Sequence, residues 1–108
     1  MRAAIIGLGA ISTTHYGAIG RAGGAVAAIC DVDEAKLAAF REKTGCAATG
    51  YTDWHALLRD ESLDVIHICT PHYLHAEMVI EALLAGHHVL CEKPLCINYA
   101  QAEEIARL

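Results

Sequence analysis

No Asp or Glu occurs before Asp31, although Arg2 and Arg21 do. The first thirty residues therefore bring no negative side chain near a phosphate. The same absence fits a buried strand followed by an alanine-rich helix, where acids have little room. No basic run is present either, and the net charge is −5, which excludes the electrostatic footprint of a protein for nucleic acid or an anionic membrane. No apolar run approaches the roughly 20 residues that span a bilayer. The opening MRAAIIGLGAI has neither a basic n-region nor a cleavage site, so the expectation is a cytoplasmic protein. There is no C-x-x-C pair. The five cysteines, Cys30, Cys46, Cys69, Cys91 and Cys96, are an odd number, and three lie in or at the ends of apolar runs. Reduced, mostly buried thiols are expected in place of a disulfide framework. No repeat, linker or low-complexity segment interrupts the chain, and 108 residues, 55% of them hydrophobic, make one globular domain.

What is present is organised around Ala3 to Ser12, AAIIGLGAIS. A short apolar run breaks at Gly7, Leu8 and Gly9 and resumes with helical spacing, as in a strand that turns into a helix around a bound phosphate. Gly7 permits the tight turn. Gly9 lacks a Cβ, so a pyrophosphate can approach the backbone there and at Ala10 and Ile11, where the helix begins. Ser12 takes the third place of the G-x-G-x-x-G/A pattern and is small enough for a helix to pack closely on a strand. Asp31 follows 19 positions later, at the end of AVAAICD. There an acid accepts hydrogen bonds from adenosine ribose hydroxyls and repels a 2′-phosphate, which points to NAD in preference to NADP. A simpler role, capping the next helix, is compatible with that one.

Strand-like and helix-like segments alternate from end to end. Strands are expected at 3–6, 25–30, 46–49, 65–69 and 88–91. Between them Ile11, His15, Ala18, Ile19 and Ala22 mark the inner stripe of a first helix; Leu37 and Phe40 face inward from a second, opened by Asp33 and Glu34 and stopped by Gly45; Trp54, Leu57 and Leu58 share a face of a third, capped by Thr52 or Asp53; His75, Val79, Ala82 and Leu83 line a fourth. Asn98 and Gln101 resemble a capping box for a fifth helix. Five β-α units predict an α/β fold, a doubly wound parallel sheet of strand order 3-2-1-4-5. A sixth strand would be expected after the fifth helix, and no residues remain to form it. The resulting uncovered edge leads to the expectation of a homo-oligomer, a dimer.

Two further segments, TPHYLHAEM at 70–78 and GHHVLCEKP at 86–94, complete a pattern. With GLGAIS and Asp31 they resemble the nucleotide-binding half of the Gfo/Idh/MocA oxidoreductases, the glucose-fructose oxidoreductase and inositol dehydrogenase type. That family characteristically shows T-P-N-x-x-H after strand 4 and A-G-K-H-V-x-x-E-K-P across strand 5. Here His72 replaces the usual Asn, and His87 a usual Lys expected on the surface. The resemblance implies a Rossmann domain spanning 1–108 that binds a nicotinamide dinucleotide, with Gly7, Gly9, Ala10, Ile11, Asp31, Thr70, Pro71, His72, His75, Glu92 and Lys93 around it. It also implies a second, substrate-binding domain absent from these residues, and a sugar, polyol or related small molecule as substrate. Lys93 would be the catalytic residue beside the nicotinamide, and Glu92 would orient it or the nicotinamide ribose. The position of Lys93, just past an apolar strand at the carboxyl edge, agrees with that role, since a partly desolvated lysine assists proton transfer. His75 either touches the dinucleotide or is structural. His67 is expected as a core histidine bonded to backbone or water, and His15 as a packing residue. His87, His88, Cys91 and Cys96 do not converge as zinc ligands do, because residues 88 and 91 fall on opposite faces of a strand. No metal is expected. A non-catalytic NAD-binding module, or a subunit completed by another chain, is the alternative reading.

Overall fold

The computed structural model describes residues 1–70 and 72–91, with the side chains of 72–75 and of Cys91 outside the description. Nine elements alternate: β1 (Arg2–Ile6), α1 (Ser12–Arg21), β2 (Ala25–Cys30), α2 (Glu34–Thr44), β3 (Thr49–Tyr51), α3 (Trp54–Leu58), β4 (Val65–Ile68), α4 (His72–Leu84) and β5 (His88–Cys91). Every neighbouring pair of strands is parallel, and the order across the sheet is β3-β2-β1-β4-β5, as the alternation of elements predicts. The order reverses between β1 and β4.

β1 is the axis of the sheet. Its side chains alternate between two cores. Ala4 and Ile6 join Ile66, Ile68, Leu57, Leu58, Met78 and Val79 on the face covered by α3 and α4. Ala3 and Ile5 join Ile19, Ile29, Leu37 and Phe40 on the face covered by α1 and α2. Burial on both faces explains why these strands read as continuous apolar runs.

The helix ends follow local chemistry. The Asp33 carboxylate accepts from the Ala35 N–H at 2.9 Å, and Gly45 closes α2 in the left-handed conformation at φ 72°. Asp53, one of the two residues expected to cap α3, accepts from the His55 N–H at 3.0 Å. The cap of α2 is thus Asp33, which frees Asp31 from the capping role considered above.

Three expectations are corrected. β3 lies at Thr49–Tyr51, not 46–49, because its position is set by pairing with β2, where Ala28, Ile29 and Cys30 stand opposite Thr49, Gly50 and Tyr51. Cys46 and Ala48 are buried in the connection leading to it. The inner stripe of α1 is Ser12, His15 and Ile19, whereas Ile11 is 41% exposed and Ala18 and Ala22 face solvent. The helix starts one residue later than the apolar pattern implied, and that phase turns Ser12 inward. His87, expected on the surface, is buried: its Nε2 lies 2.8 Å from the Leu58 carbonyl oxygen and its Nδ1 3.1 Å from that of Leu63. The ring closes the space where the end of α3, the entry to β4 and the start of β5 meet. The expected capping box at Asn98 lies outside the described residues.

Candidate functional site

The glycine loop leaves β1 at its carboxyl end, beside the point where strand order reverses, the place where open α/β sheets bind ligands. Gly7 sits at φ 92°. A Cβ added to it would stand 2.8 Å from the Thr70 nitrogen and 2.9 Å from the Cys69 carbonyl carbon, so the loop presses against the end of β4. Only glycine meets both the sign of φ and the close approach. The Gly7 N–H also donates to the Cys30 carbonyl at 2.8 Å, and the Cys69 N–H to that of Ile6 at 2.8 Å. The ends of β1, β2 and β4 are thereby held together.

Gly9 differs: a Cβ built on it meets nothing within 4 Å. The space beside it is open, so here the absence of a side chain is not required by packing. Just beyond it α1 begins without a side-chain cap and without an acid in its first turn. The first N–H groups of a helix lack partners from the preceding turn, and the helix dipole there favours an anion. Ser12, 1% exposed, donates its hydroxyl to the Gly9 carbonyl at 2.6 Å, and its N–H reaches the same oxygen at 3.1 Å. Because a trans peptide sets its N–H opposite its carbonyl, the Ala10 N–H points away from Ser12. A helix start with no acid in its first turn fits a pyrophosphate, and the Asp31 carboxylate beside the loop is engaged by the Leu8 N–H.

Asp31 stands at the end of β2, accepting from the Leu8 N–H at 3.0 Å and from the Asp33 N–H at 2.9 Å. A carboxylate oxygen accepts more than one hydrogen bond, so room remains for ribose hydroxyls. Next to it, burial and the charge of Asp31 push the Cys30 thiol up to about 12. It is a packing residue and no nucleophile at neutral pH. Thr70, half-buried, donates its hydroxyl to the Met78 sulfur at 3.3 Å, tying the end of β4 to α4.

The structure thus brings together Gly7, Gly9, Ala10, Ile11, Asp31 and Thr70 at one edge. His72 and His75 are in the first turn of α4, with side chains outside the description. Pro71, Glu92 and Lys93 lie outside the described residues. His15 and His67, read separately from the sequence, prove to be partners: their Nδ1 atoms are 2.9 Å apart, with rings edge to face. His67 stands opposite Ile5 in the register of β4 on β1, hence on the α1 side of the sheet, where His15 descends. Burial first, and the neighbouring His15 second, lower the pKa of His67 from 6.5.

Among the described residues no helix is long and apolar enough to cross a membrane. A family model described as an oxidoreductase family with an NAD-binding Rossmann fold matches residues 1–108. The myo-inositol 2-dehydrogenase of Thermotoga maritima is 38% identical over 97% of the chain, which spans 31% of that enzyme. The solved WlbA dehydrogenase of Chromobacterium violaceum, in complex with NADH and UDP-GlcNAcA, superposes with a TM-score of 0.87 at 32% identity, over 99% of this chain and 31% of that one. Biliverdin reductase from Synechocystis, solved with biliverdin and NADP+, gives 0.87 at 28% identity, over 98% of this chain and 33% of that one. The chain spans about a third of the length of each.

Proposed function

The chain belongs to the Gfo/Idh/MocA oxidoreductase family as its NAD-binding Rossmann domain, and from that premise we propose that it holds NAD for the oxidation of a CH–OH group on a sugar, polyol or related small molecule. The observation that carries this reading is the glycine loop at the point where strand order reverses, tied through the Leu8 N–H to the Asp31 carboxylate and followed by the uncapped start of α1. Gly7, Gly9, Ala10 and Ile11 hold the pyrophosphate, and Asp31 receives the adenosine ribose. Thr70, Pro71, His72, His75 and Glu92 are assigned to the nicotinamide half of the cleft. When bound, the nicotinamide supplies a hydride acceptor at C4. Lys93 is the residue that handles the hydroxyl proton, and Glu92 orients it.

Relatives differ in cofactor, one carrying NADH and another NADP+. Asp31 supports NAD here, because a carboxylate at the ribose repels a 2′-phosphate. A reducing, cytoplasmic setting fits the buried, reduced thiols of Cys30 and Cys46. The half-exposed Leu90 on β5, the last strand of the sheet among the described residues, supports a dimer through an apolar contact there.

An NMR titration with NADH tests the site. Amide shifts concentrated at Gly7 to Ser12 and at Asp31 are the expected result, and a titration that leaves these amides unmoved contradicts the assignment. Incubated with NAD and myo-inositol or glucose, the 108-residue chain is expected to form no NADH above background. A measurable rate would contradict the assignment of substrate contacts to residues beyond this chain.

A further inference from the structure

Both oxygens of Asp31 accept hydrogen bonds from the protein's own backbone. Oδ2 accepts from the N–H of Leu8, the middle residue of the glycine loop and 23 positions away, while Oδ1 accepts from the N–H of Asp33, the cap of α2. Leu8 is 8% exposed, its side chain packed in the core beneath α1 and α2 with Ile5, Ile29 and Phe40. The Asp31 N–H in turn donates to the Tyr51 carbonyl at the end of β3, 3.1 Å away. One carboxylate therefore links the loop after β1 to the turn after β2, and its own backbone is held from β3.

We propose that Asp31 is a positioning residue for the glycine loop: its carboxylate fixes the Leu8 peptide, and through it the adjoining Gly9, in the shape that receives a pyrophosphate. The role rests on the reading of the loop as a dinucleotide site and adds to the contact of Asp31 with ribose. A loop with glycine on both sides of Leu8 has wide conformational freedom, and an anchored peptide between them removes much of it. Hydrogen bonds from backbone N–H to a carboxylate are among the stronger ones. The anchor also bears on a 2′-phosphate, because the carboxylate turns aside from one only by releasing Leu8 or Asp33.

An ionised carboxylate accepts from both N–H groups. The Asn amide, nearly identical in shape, offers one oxygen and one NH2, so in Asp31→Asn one N–H is left facing a donor. Amide hydrogen exchange of the ligand-free chain reads this directly. In Asp31→Asn the Leu8 or Asp33 amide is expected to exchange at least tenfold faster, with Ile66 in β4 unchanged. Affinity for inorganic pyrophosphate, which has no ribose, is expected to fall at least threefold, although removing a negative charge by itself favours the anion. Unchanged exchange at both amides, or unchanged or tighter pyrophosphate binding, overturns the proposal and leaves Asp31 with ribose alone. Acceleration shared equally by Ile66 overturns it too. So does a parent chain whose Leu8 amide exchanges like that of an unfolded peptide, a result that needs no variant. Should the Leu8 amide be released by the substitution while the parent binds neither pyrophosphate nor NADH, the anchor stands and the dinucleotide reading falls.

Discussion

The Nδ1 atoms of His15 and His67 face each other across 2.9 Å, joining the helix that follows the glycine loop to strand β4. At that distance one nitrogen donates and the other accepts, so the pair is complete with one proton between the two Nδ1 atoms.

The pair sets a pH dependence. The folded-state pKa of His67 is lowered from 6.5, by burial and then by His15, so the unfolded chain binds this proton more readily than the folded one. The contribution to stability is fully present above 6.5 and is lost as pH falls from there toward the folded-state value. Urea unfolding at a series of pH values should show stability declining below pH 6.5, with a slope from this group of at most about 1.4 kcal/mol per pH unit. His67→Gln, which hydrogen-bonds but does not titrate, should flatten that slope. An unchanged slope in the variant would assign the acid sensitivity elsewhere.

The two loop glycines should separate stability from binding. Gly7→Ala forces a Cβ to 2.8 Å from the Thr70 backbone at φ 92°, and is expected to cost roughly 2–4 kcal/mol in denaturant unfolding. At Gly9 a Cβ meets nothing within 4 Å, so Gly9→Ala should change stability by less than about 0.5 kcal/mol while weakening NADH binding about tenfold or more. Equal losses of stability in both variants would contradict these separate roles.

Adjacent histidines on β5 should behave oppositely. His87→Ala removes a buried ring set between the Leu58 and Leu63 carbonyls and is expected to cost about 2–4 kcal/mol. His88 is exposed, and His88→Ala should stay within about 0.5 kcal/mol of the parent. Thermal or urea unfolding of the two variants side by side checks this.

The contrast between these residues marks what a linear reading can reach. β1, β2 and β4 were legible because strands covered on both faces are runs of apolar residues, β5 because Val89 and Leu90 follow the stop at Gly86, and α2 because Asp33 and Gly45 punctuate it locally. β3 was displaced because Thr49, Gly50 and Tyr51 carry no apolar run. Their strand character comes from pairing with Ala28, Ile29 and Cys30, some twenty residues earlier. His87 was placed outside for the same reason, since its burial depends on carbonyls 24 and 29 residues away. Within the candidate site the glycines and Asp31 were visible as types at a spacing. The bond from the Leu8 N–H to Asp31 was not, because a backbone N–H carries no mark in the sequence. Ser12, legible only as a small residue at the third place of the pattern, is buried and fixes the Gly9 carbonyl through its own hydroxyl.

Calorimetric titration of the chain with NADH and NADPH, repeated on Asp31→Ala, tests the central claim most directly. The parent should bind NADH more tightly than NADPH, and the substitution should narrow the gap. A parent that prefers NADPH, or a gap that survives the loss of the Asp31 carboxylate, would contradict the account.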